Sequence, residues 1–288
     1  MLILLLAFAL RMYHLDGQSL WADEGNSAAL AGRPFPVIAQ QAALDIHPPL
    51  YYFLLKLWRA LFGDGEIALR SLSVMFSLGV VVLVYALGEM AAGHRAGTAA
   101  ALMAAVSPLQ GYYSQEARMY MLMAFWAALA VWAAWRWITR PSWPYALLYV
   151  LAGTAGLYTH YFFPTILLAC NLVFILAWLG RRRARMLWAW AGMQAGVILL
   201  YLPWLNIGIS RLLAWPRGTS PIRAASWLGM AWRTLCLGPA GLDAPWSATL
   251  PFAILLVAGV LPLLAANRVT AGASPVRWAF PILGLLVP

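Results

Sequence analysis

Runs of apolar residues about as long as a bilayer is thick dominate this sequence, and short clusters of Arg, Gly and Pro separate them. A helix needs about 20 residues to cross roughly 30 Å of hydrocarbon. The runs closest to this length are residues 71–90, 98–113, 119–138, 143–159, 161–179, 187–205 and 249–266. The pattern predicts an all-α polytopic membrane protein.

Composition supports this prediction and excludes a soluble fold. Hydrophobic residues make up 64% of the chain and charged residues 10%, against about 25% charged in a typical globular domain. The net charge of +10 comes from basic residues spread along the chain, without a nucleic-acid-binding signature. We therefore expect no nucleic-acid partner, and the two cysteines show no metal-binding or redox spacing.

The two ends of the sequence are apolar, but each is only about half of a span long. Residues 1–10 lack the basic start and small-residue cleavage site of a signal peptide, so we interpret them as the end of a first helix. Residues 278–288 end within an apolar run. We expect the chain to continue beyond both ends and treat residues 1–288 as a single transmembrane domain.

The distribution of Arg predicts the orientation, because short cytoplasmic loops collect positive charge. One set of loops contains Arg95, Arg136, Arg140, the cluster 181–185 and the segment 268–277, whereas the short loop on the other side contains only Arg118. The polar segments 11–70 and 206–248 are then non-cytoplasmic, as are all acidic residues except Glu89. Any chemistry is expected on that face.

Segment 11–70 contains Asp23 and Glu24, followed by a short helical stretch that ends at Gly32. Leu50–Phe62 has apolar residues at helical spacing and is too short to span, so we predict an interfacial helix. Asp23, Glu24, Asp45 and His47 would then lie at headgroup level. Two alternatives stay open: Asp23 could be a helix N-cap, and Asp45 with His47 could be a turn before a proline-started helix.

Residues 107–120 join two spans and place Glu116 and Arg118 at a membrane border. Residues at i and i+2 do not face each other on a helix, so each side chain needs a different partner. A charge on another loop or a ligand phosphate would serve. Alternatively, Arg118 extends to the lipid headgroups.

Five short motifs occur in order along the chain: Trp-Ala-Asp-Glu (21–24), His-Pro-Pro-Leu-Tyr-Tyr (47–52), Arg-Ser-Leu-Ser (70–73), Ser-Gln-Glu-Ala-Arg-Met-Tyr (114–120) and Tyr-Thr-His-Tyr-Phe (158–162). Together they resemble the bacterial GT-C membrane glycosyltransferases related to protein O-mannosyltransferases and aminoarabinose transferases, including Rgt-like enzymes. The resemblance covers roughly residues 6–205 and rests on hydropathy beyond them.

This resemblance implies a polyprenyl-phosphate-linked sugar donor, inversion at the anomeric carbon, and an acceptor hydroxyl on a lipid, polysaccharide or protein. It also implies the bacterial cytoplasmic membrane, with the active site on the periplasmic or extracellular side. The family's Asp-Glu pair maps onto Asp23 and Glu24, the residue near the donor phosphate onto His47, and a second external acid onto Glu116. A divalent cation is conceivable, since oxygen and nitrogen ligands could come from Asp23, Glu24, Asp45, His47 and Glu116. No residue spacing enforces it, and we expect no cofactor.

The chemistry can also be argued from the residues. A carboxylate that removes the acceptor proton typically contributes about 10²–10⁴ in rate, and Asp23 is the predicted base. Arg118 is the leading candidate to stabilise the departing phosphate, followed by His47 and Arg70. Three further residues either line the donor site or anchor the chain at the interface: Tyr120, His160 and Tyr161.

Two other functions stay open. A transporter or flippase of lipid-linked sugars would place ionisable groups or broken helices near mid-membrane, but Glu89 is the only acid in the predicted spans and lies near an end. A structural subunit without activity is the other. Segment 206–248 mixes Arg with Trp, which favours the interface with membrane lipids and contact with the carrier.

Overall fold

The structure, a computed structural model, describes residues 1–214, 224–254 and 256–257. As predicted, these residues form helices and turns and contain no β-strand. The α-helices are α1 (Leu2–Met12), α2 (Ala22–Ala31), α3 (Phe35–Leu44), α4 (Leu50–Phe62), α5 (Glu66–Ala92), α6 (His94–Val106), α7 (Pro108–Ser114), α8 (Tyr120–Thr139), α9 (Trp143–Leu157), α10 (Pro164–Arg181), α11 (Ala184–Leu213) and α12 (Ala224–Leu237).

Four of the described helices are long and apolar enough to cross a membrane: α5, α8, α10 and α11. They coincide with the predicted spans 71–90, 119–138, 161–179 and 187–205. Helix α9 coincides with the predicted span 143–159, but its 15 residues make it only about 22 Å long. The predicted span 249–266 lies for most of its length outside the described residues, and so does segment 278–288.

The predicted span 98–113 is wrong as a single helix, because the structure divides it into α6 and α7. Ser107 between them has extended backbone (φ −61°, ψ 122°), and α7 begins at Pro108. A residue before proline is disfavoured from helical conformation. The Ser107 hydroxyl then accepts a hydrogen bond from the Gln110 amide at 3.4 Å, which caps α7. The chain therefore bends before it reaches α8.

Arg11 at the end of α1 supports this bend. Its side chain is buried, whereas the sequence placed it at the start of a polar external segment. The guanidinium donates to the carbonyl oxygens of Ala104 (3.0 Å) and Ala105 (2.8 Å) in the last turn of α6, where carbonyls lack helical partners. The Gln115 side-chain amide donates in turn to the Arg11 carbonyl oxygen at 3.2 Å. The end of α1 thus fixes the chain on both sides of α7.

The chain reverses direction between α5 and α6, between α8 and α9, between α9 and α10 and between α10 and α11. Helix α5 packs against α6 and α8, and α9 packs against α8 and α11. This alternation brings the starts of α5, α8 and α10 to the same end as the finishes of α6 and α9. Helices α2, α3 and α4 lie in the connection between α1 and α5 at that end. We call it the α2–α4 end. All five motifs lie at this end: residues 21–24 at the start of α2, 47–52 at the start of α4, 70–73 near the start of α5, 114–120 between α7 and α8, and 158–162 between α9 and α10.

Two predictions for the α1–α5 connection are confirmed and one helix was not predicted. The helical stretch before Gly32 is α2, and the amphipathic helix is α4 with its predicted bounds. Helix α3 was missed. Helix α4 buries Tyr51, Tyr52 and Leu55 against the bundle and exposes Leu57, Leu61 and Phe62. An exposed apolar face of this kind suits the membrane interface.

Gly156 allows the close approach between the end of α9 and the turn that precedes α10. A Cβ at this position would overlap the ring of Phe163, which is fully buried. We expect Gly156→Ala to lower the free energy of unfolding by about 1–3 kcal/mol, as overpacking does. Thermal unfolding of the detergent-solubilised protein measures this change.

Gly192 provides the matched control, because it lies within α11 and a Cβ there would meet no atom within 4 Å. Gly192→Ala should leave stability unchanged or raise it by about 0.5–1 kcal/mol. Equal unfolding midpoints for the two variants would contradict the packing assigned to Gly156.

Candidate active site

Asp23 of α2 and Arg118 of the α7–α8 turn are far apart in sequence and adjacent in space. The Arg118 Nη2 atom lies 3.5 Å from Asp23 Oδ2. Nη1 donates to the Asp23 carbonyl oxygen at 3.2 Å and to the Ser27 hydroxyl at 3.3 Å. The Arg118 side chain is 6% exposed and the Asp23 side chain 45%. A buried cation and a partly accessible carboxylate therefore lie side by side, and we call these two residues and the side chains packed around them the pocket.

Asp23 is not the N-cap of α2, so that alternative is wrong. The N-cap residue is Trp21, and Asp23 is the second residue of the helix. Glu24 caps the start of the helix instead, because its carboxylate accepts a hydrogen bond from the Trp21 backbone amide at 3.3 Å. This arrangement leaves the Asp23 carboxylate available for other contacts.

Glu24 forms a buried bidentate pair with Arg70. Its Oε1 accepts from Arg70 Nε at 2.9 Å and its Oε2 from Arg70 Nη2 at 2.7 Å. The other donors of Arg70 reach backbone carbonyl oxygens of Leu15 (2.7 Å), Gln18 (2.9 Å) and Ser19 (3.3 Å). Every donor of the guanidinium is therefore occupied. The sequence predicts Glu24 as a catalytic residue of the Asp-Glu pair and Arg70 as a ligand of the donor phosphate. In the structure the two side chains pair with each other, and both roles stay predictions.

The same carboxylate fixes the α7–α8 turn. Glu24 Oε1 accepts from the backbone amide of Ala117 at 2.8 Å. Burial favours the neutral acid, but the hydrogen bonds from Arg70 and from the Ala117 and Trp21 amides outweigh it and hold the pKa of Glu24 below its ordinary value. Ala117 directly precedes Arg118, as Glu24 directly follows Asp23. One buried contact thus sets the separation of Asp23 and Arg118.

Arg118 is the site cation that retains hydrogen-bonding capacity. Burial works against its charge, but Tyr52, Tyr120 and Asp23 together hold the pKa of Arg118 above its ordinary value. Its Nε has no hydrogen-bond partner within the described structure. The guanidinium carbon lies 5.9 Å from the centre of the Tyr120 ring, a distance at which cation–π attraction operates.

His47 and His160 lie beside Arg118 as buried imidazoles with ring centres 5.4 Å apart. Burial, followed by the charge of Arg118, lowers the pKa of His47 to about 3 and the pKa of His160 to about 4. The Asp45 carboxylate, 4.0 Å from His47 Nδ1, does not compensate for this. Both rings are neutral at pH 7. Any phosphate contact by His47 is then a neutral hydrogen bond.

Glu116 is buried next to the same pocket, and its carboxyl group lies beside the Tyr112 side chain. Burial raises the pKa of Glu116, and the nearby carboxylates of Glu24 and Asp23 raise it further against the opposing effects of Tyr112 and Arg118. Glu116 and Asp23 therefore differ: one acid is enclosed and the other is partly open to solvent.

Aromatic rings form one wall of the pocket. Tyr113 and Tyr120 have ring centres 4.8 Å apart, and Tyr120 lies 6.3 Å from His160. Tyr120 and His160 thus lie beside Arg118 and His47, at the predicted site. Sequence analysis missed Tyr52, whose hydroxyl donates to Asp45 Oδ2 at 3.2 Å. The signal was present, because Tyr52 ends the His-Pro-Pro-Leu-Tyr-Tyr motif.

Tyr161 lies next to the pocket rather than in its wall. Its hydroxyl accepts from Trp204 Nε1 at 3.2 Å, at the mouth of an apolar groove between α9, α10 and α11. The groove has a volume of about 350 Å³. Its lining includes His160, Tyr161, Leu167, Leu168, Val197, Ile198, Tyr201, Leu205 and Leu212. We call it the outer groove.

Within residues 1–214, 224–254 and 256–257, no three His, Cys, Asp or Glu side chains converge as metal ligands.

Residues 46–206, more than half of the chain, match the family model described as dolichyl-phosphate-mannose-protein mannosyltransferase. The chain belongs to this family. Its membership confirms the resemblance to GT-C glycosyltransferases and identifies the chain as an integral membrane protein. The match includes His47, Glu116, Arg118 and His160, and begins after Asp23.

Among solved structures, the chain is similar to the archaeal oligosaccharyltransferase AglB from Archaeoglobus fulgidus, in complex with an inhibitory peptide and a dolichol-phosphate. The two share 15% sequence identity with a TM-score of 0.48, over 84% of this chain and 31% of AglB. The chain thus spans about a third of that protein's length. No curated protein sequence matches the chain significantly.

The Glu24–Arg70 pair makes a stability prediction. Glu24→Gln leaves the Arg70 cation buried without its counter-charge, which typically costs about 3–5 kcal/mol. Asp64→Asn is the control, because Asp64 pairs with Arg59 through a side chain that is 70% exposed and such pairs contribute about 0–1 kcal/mol. Denaturant titration in detergent compares the two. Equal losses would show that the buried pair is not a principal support of the fold.

The neutral histidines make a pH prediction. Between pH 6.5 and about 3, the unfolded chain protonates His47 and the folded chain does not. Acidification in that range therefore favours unfolding, and stability rises as the pH increases towards 6.5. Thermal midpoints at pH 7 and pH 5 should differ less in His47→Gln than in the original protein. His94→Gln, at a side chain 77% exposed, should keep the original difference; equal effects of the two changes would contradict the burial of His47.

Proposed function

We propose that the protein transfers a sugar from a polyprenyl-phosphate carrier to an acceptor hydroxyl, with Asp23 as general base. The observation that carries this proposal is the pairing of Asp23 with Arg118 in a pocket beside an apolar groove. Family membership supports the reaction class. The pocket supplies the two functions the reaction needs, a proton acceptor and a cation for the leaving phosphate.

The donor is a carrier with a single phosphate. Arg118 supplies one positive charge and an unpaired Nε donor, while His47 and His160 are neutral at pH 7. A sugar phosphodiester has one negative charge, and Arg118 is the cation of the pocket that can contact it. When the bond between the anomeric carbon and the phosphate oxygen breaks, the phosphate gains a second negative charge. A preformed guanidinium stabilises that charge without reorganising.

The carrier's hydrocarbon chain occupies the outer groove. The groove begins beside His160 and Tyr161, next to the pocket, and continues between apolar side chains of α10 and α11. A lipid whose phosphate lies at Arg118 would place its first isoprene units there. Tyr120 and Tyr113 offer aromatic faces to the sugar ring.

Transfer then occurs by a single displacement at the anomeric carbon. The acceptor oxygen forms its bond to the anomeric carbon on the face opposite the phosphate, which inverts the configuration. Its proton passes to the Asp23 carboxylate, and the bonding electrons leave with the carrier phosphate. Glu116 is enclosed, with a raised pKa, so we assign it to hydrogen bonding with sugar hydroxyls. Glu24 and Arg70 position Asp23 and Arg118 through the Ala117 contact.

The active site lies on the non-cytoplasmic face of the bacterial cytoplasmic membrane in this proposal. The described Arg-rich connections are at the end of the bundle opposite α2–α4: Arg95, Arg140 and the cluster 181–185. Positive charge of this kind marks cytoplasmic loops. The donor's sugar would then lie on the periplasmic or extracellular side of the membrane, where it can react with a lipid, polysaccharide or protein acceptor.

Replacement of Asp23 tests the mechanism. Asp23→Asn keeps the shape of the side chain but removes the proton acceptor, so turnover should fall by about 10²–10⁴ with normal insertion. The assay incubates membranes containing the protein with labelled polyprenyl-phosphate sugars and with peptide, polysaccharide and lipid acceptors in parallel.

Asp16→Asn is the matched control, because Asp16 is an exposed carboxylate of the same segment. It should leave turnover unchanged. Unaltered turnover in Asp23→Asn would remove Asp23 from the mechanism. Movement of labelled donor across vesicles without a glycosylated product would favour the flippase alternative.

A further inference from the structure

The connection between α10 and α11 is strongly basic and lies at the opposite end of the bundle from the candidate site. It contains Arg181, Arg182, Arg183 and Arg185, which are all exposed. Within the described residues none of them forms an ion pair. Arg181 donates to the carbonyl oxygen of Ile138 at 2.8 Å, which fixes the connection on the end of α8. The cluster is therefore an anchored surface with uncompensated charge.

An apolar cleft opens directly beside this cluster. It is a wide-open groove between α10 and α11 with a volume of about 490 Å³. Its lining is Asn171, Phe174, Ile175, Leu187, Trp190, Ala191, Gln194, Ala195 and Ile198. We call it the inner cleft. Leu187 follows Arg183 by one helical turn, about 5.4 Å along the axis, so the charge and the cleft are adjacent.

The inner cleft and the outer groove meet between α10 and α11. Asn171, Gln194 and Ile198 line both cavities, and the amide groups of Asn171 and Gln194 meet at 3.5 Å. Trp190 Nε1 donates to Asn171 Oδ1 at 2.7 Å, and the Gln194 amide donates to the Tyr149 hydroxyl at 3.2 Å. A hydrocarbon chain that followed both cavities would pass these amides as well as the apolar side chain of Ile198. The exposed arginines beside the inner cleft are what distinguish its occupant from that of the outer groove.

We propose that the inner cleft binds an anionic glycerophospholipid of the surrounding membrane. Its phosphate contacts the 181–185 cluster, and one acyl chain occupies the cleft. Basic clusters at the ends of membrane helices attract anionic headgroups. The positive-inside tendency accounts for Arg at this end, but it does not account for an apolar cleft one turn away. The proposal is independent of the sugar-transfer function.

The test measures which lipid stays bound. The full chain is reconstituted in nanodiscs of equal parts phosphatidylglycerol and phosphatidylcholine, released into mild detergent, and examined by native mass spectrometry. We expect several-fold more bound phosphatidylglycerol than phosphatidylcholine. Arg183→Gln with Arg185→Gln should bring the ratio close to one, and Ala191→Phe, which fills the cleft without a change in charge, should reduce the amount of bound lipid.

Two controls distinguish a site from a general surface effect. Arg95→Gln with Arg140→Gln removes the same charge from the same end, and Ala189→Phe adds the same ring at an exposed position of α11 outside the cleft lining. Both should keep the original lipid ratio and amount. Equal retention of the two lipids by the unaltered protein, or equal losses in the variants and their controls, would overturn the proposal. Added polyprenyl phosphate that displaces phosphatidylglycerol and depends on Ala191 would also overturn it, in favour of a second carrier site.

Discussion

The buried ion pair between Glu24 and Arg70 is the interaction on which the candidate site depends. A fully buried carboxylate is unfavourable unless it is paired and hydrogen bonded, and Glu24 meets this condition through Arg70 and two backbone amides. Those partners belong to three different parts of the chain. The same bonds that satisfy the charge therefore join α2, α5 and the α7–α8 turn, and Asp23 and Arg118 lie immediately beside the junction.

The electrostatics of the pocket follow from this packing. Arg118 keeps its charge because a guanidinium stays protonated in proteins and lies beside the Asp23 carboxylate, while His47 and His160 lose theirs because they are buried beside it. The pocket therefore contains one charged donor, Arg118, which is paired with Asp23, and two neutral hydrogen-bonding rings. The balance of charge is thus a consequence of burial as much as of residue type.

Much of this fold could be predicted from the sequence, because membrane-spanning helices and α4 have strong hydropathy patterns. The break at Ser107 was missed, since hydropathy averaged over a window does not register a single Ser-Pro step in an apolar run. Helix α3 was missed as well. Its ten residues lack a strong apolar stripe, Pro34 directly precedes it and Pro36 is its second residue, and prolines so close together obscure a helical pattern.

The candidate site could be located but not resolved into roles. Motif order and topology brought Asp23, Arg118 and His160 to one end of the bundle, and the structure places them there. Spacing alone could not show which acid of the Asp23–Glu24 pair faces inward, because that depends on the rotation of α2 about its axis. Nor could it show that Arg70 is occupied by Glu24, since that pairing joins residues 46 positions apart.

The order of the Glu24 partners along the chain has a consequence for biogenesis. Glu24 leaves the ribosome before Arg70, and the Ala117 amide follows later still. Until Arg70 is synthesised, the Glu24 carboxylate has no counter-charge and must stay hydrated. The contact that joins α2 to the α7–α8 turn can form only after Ala117 has been synthesised as well.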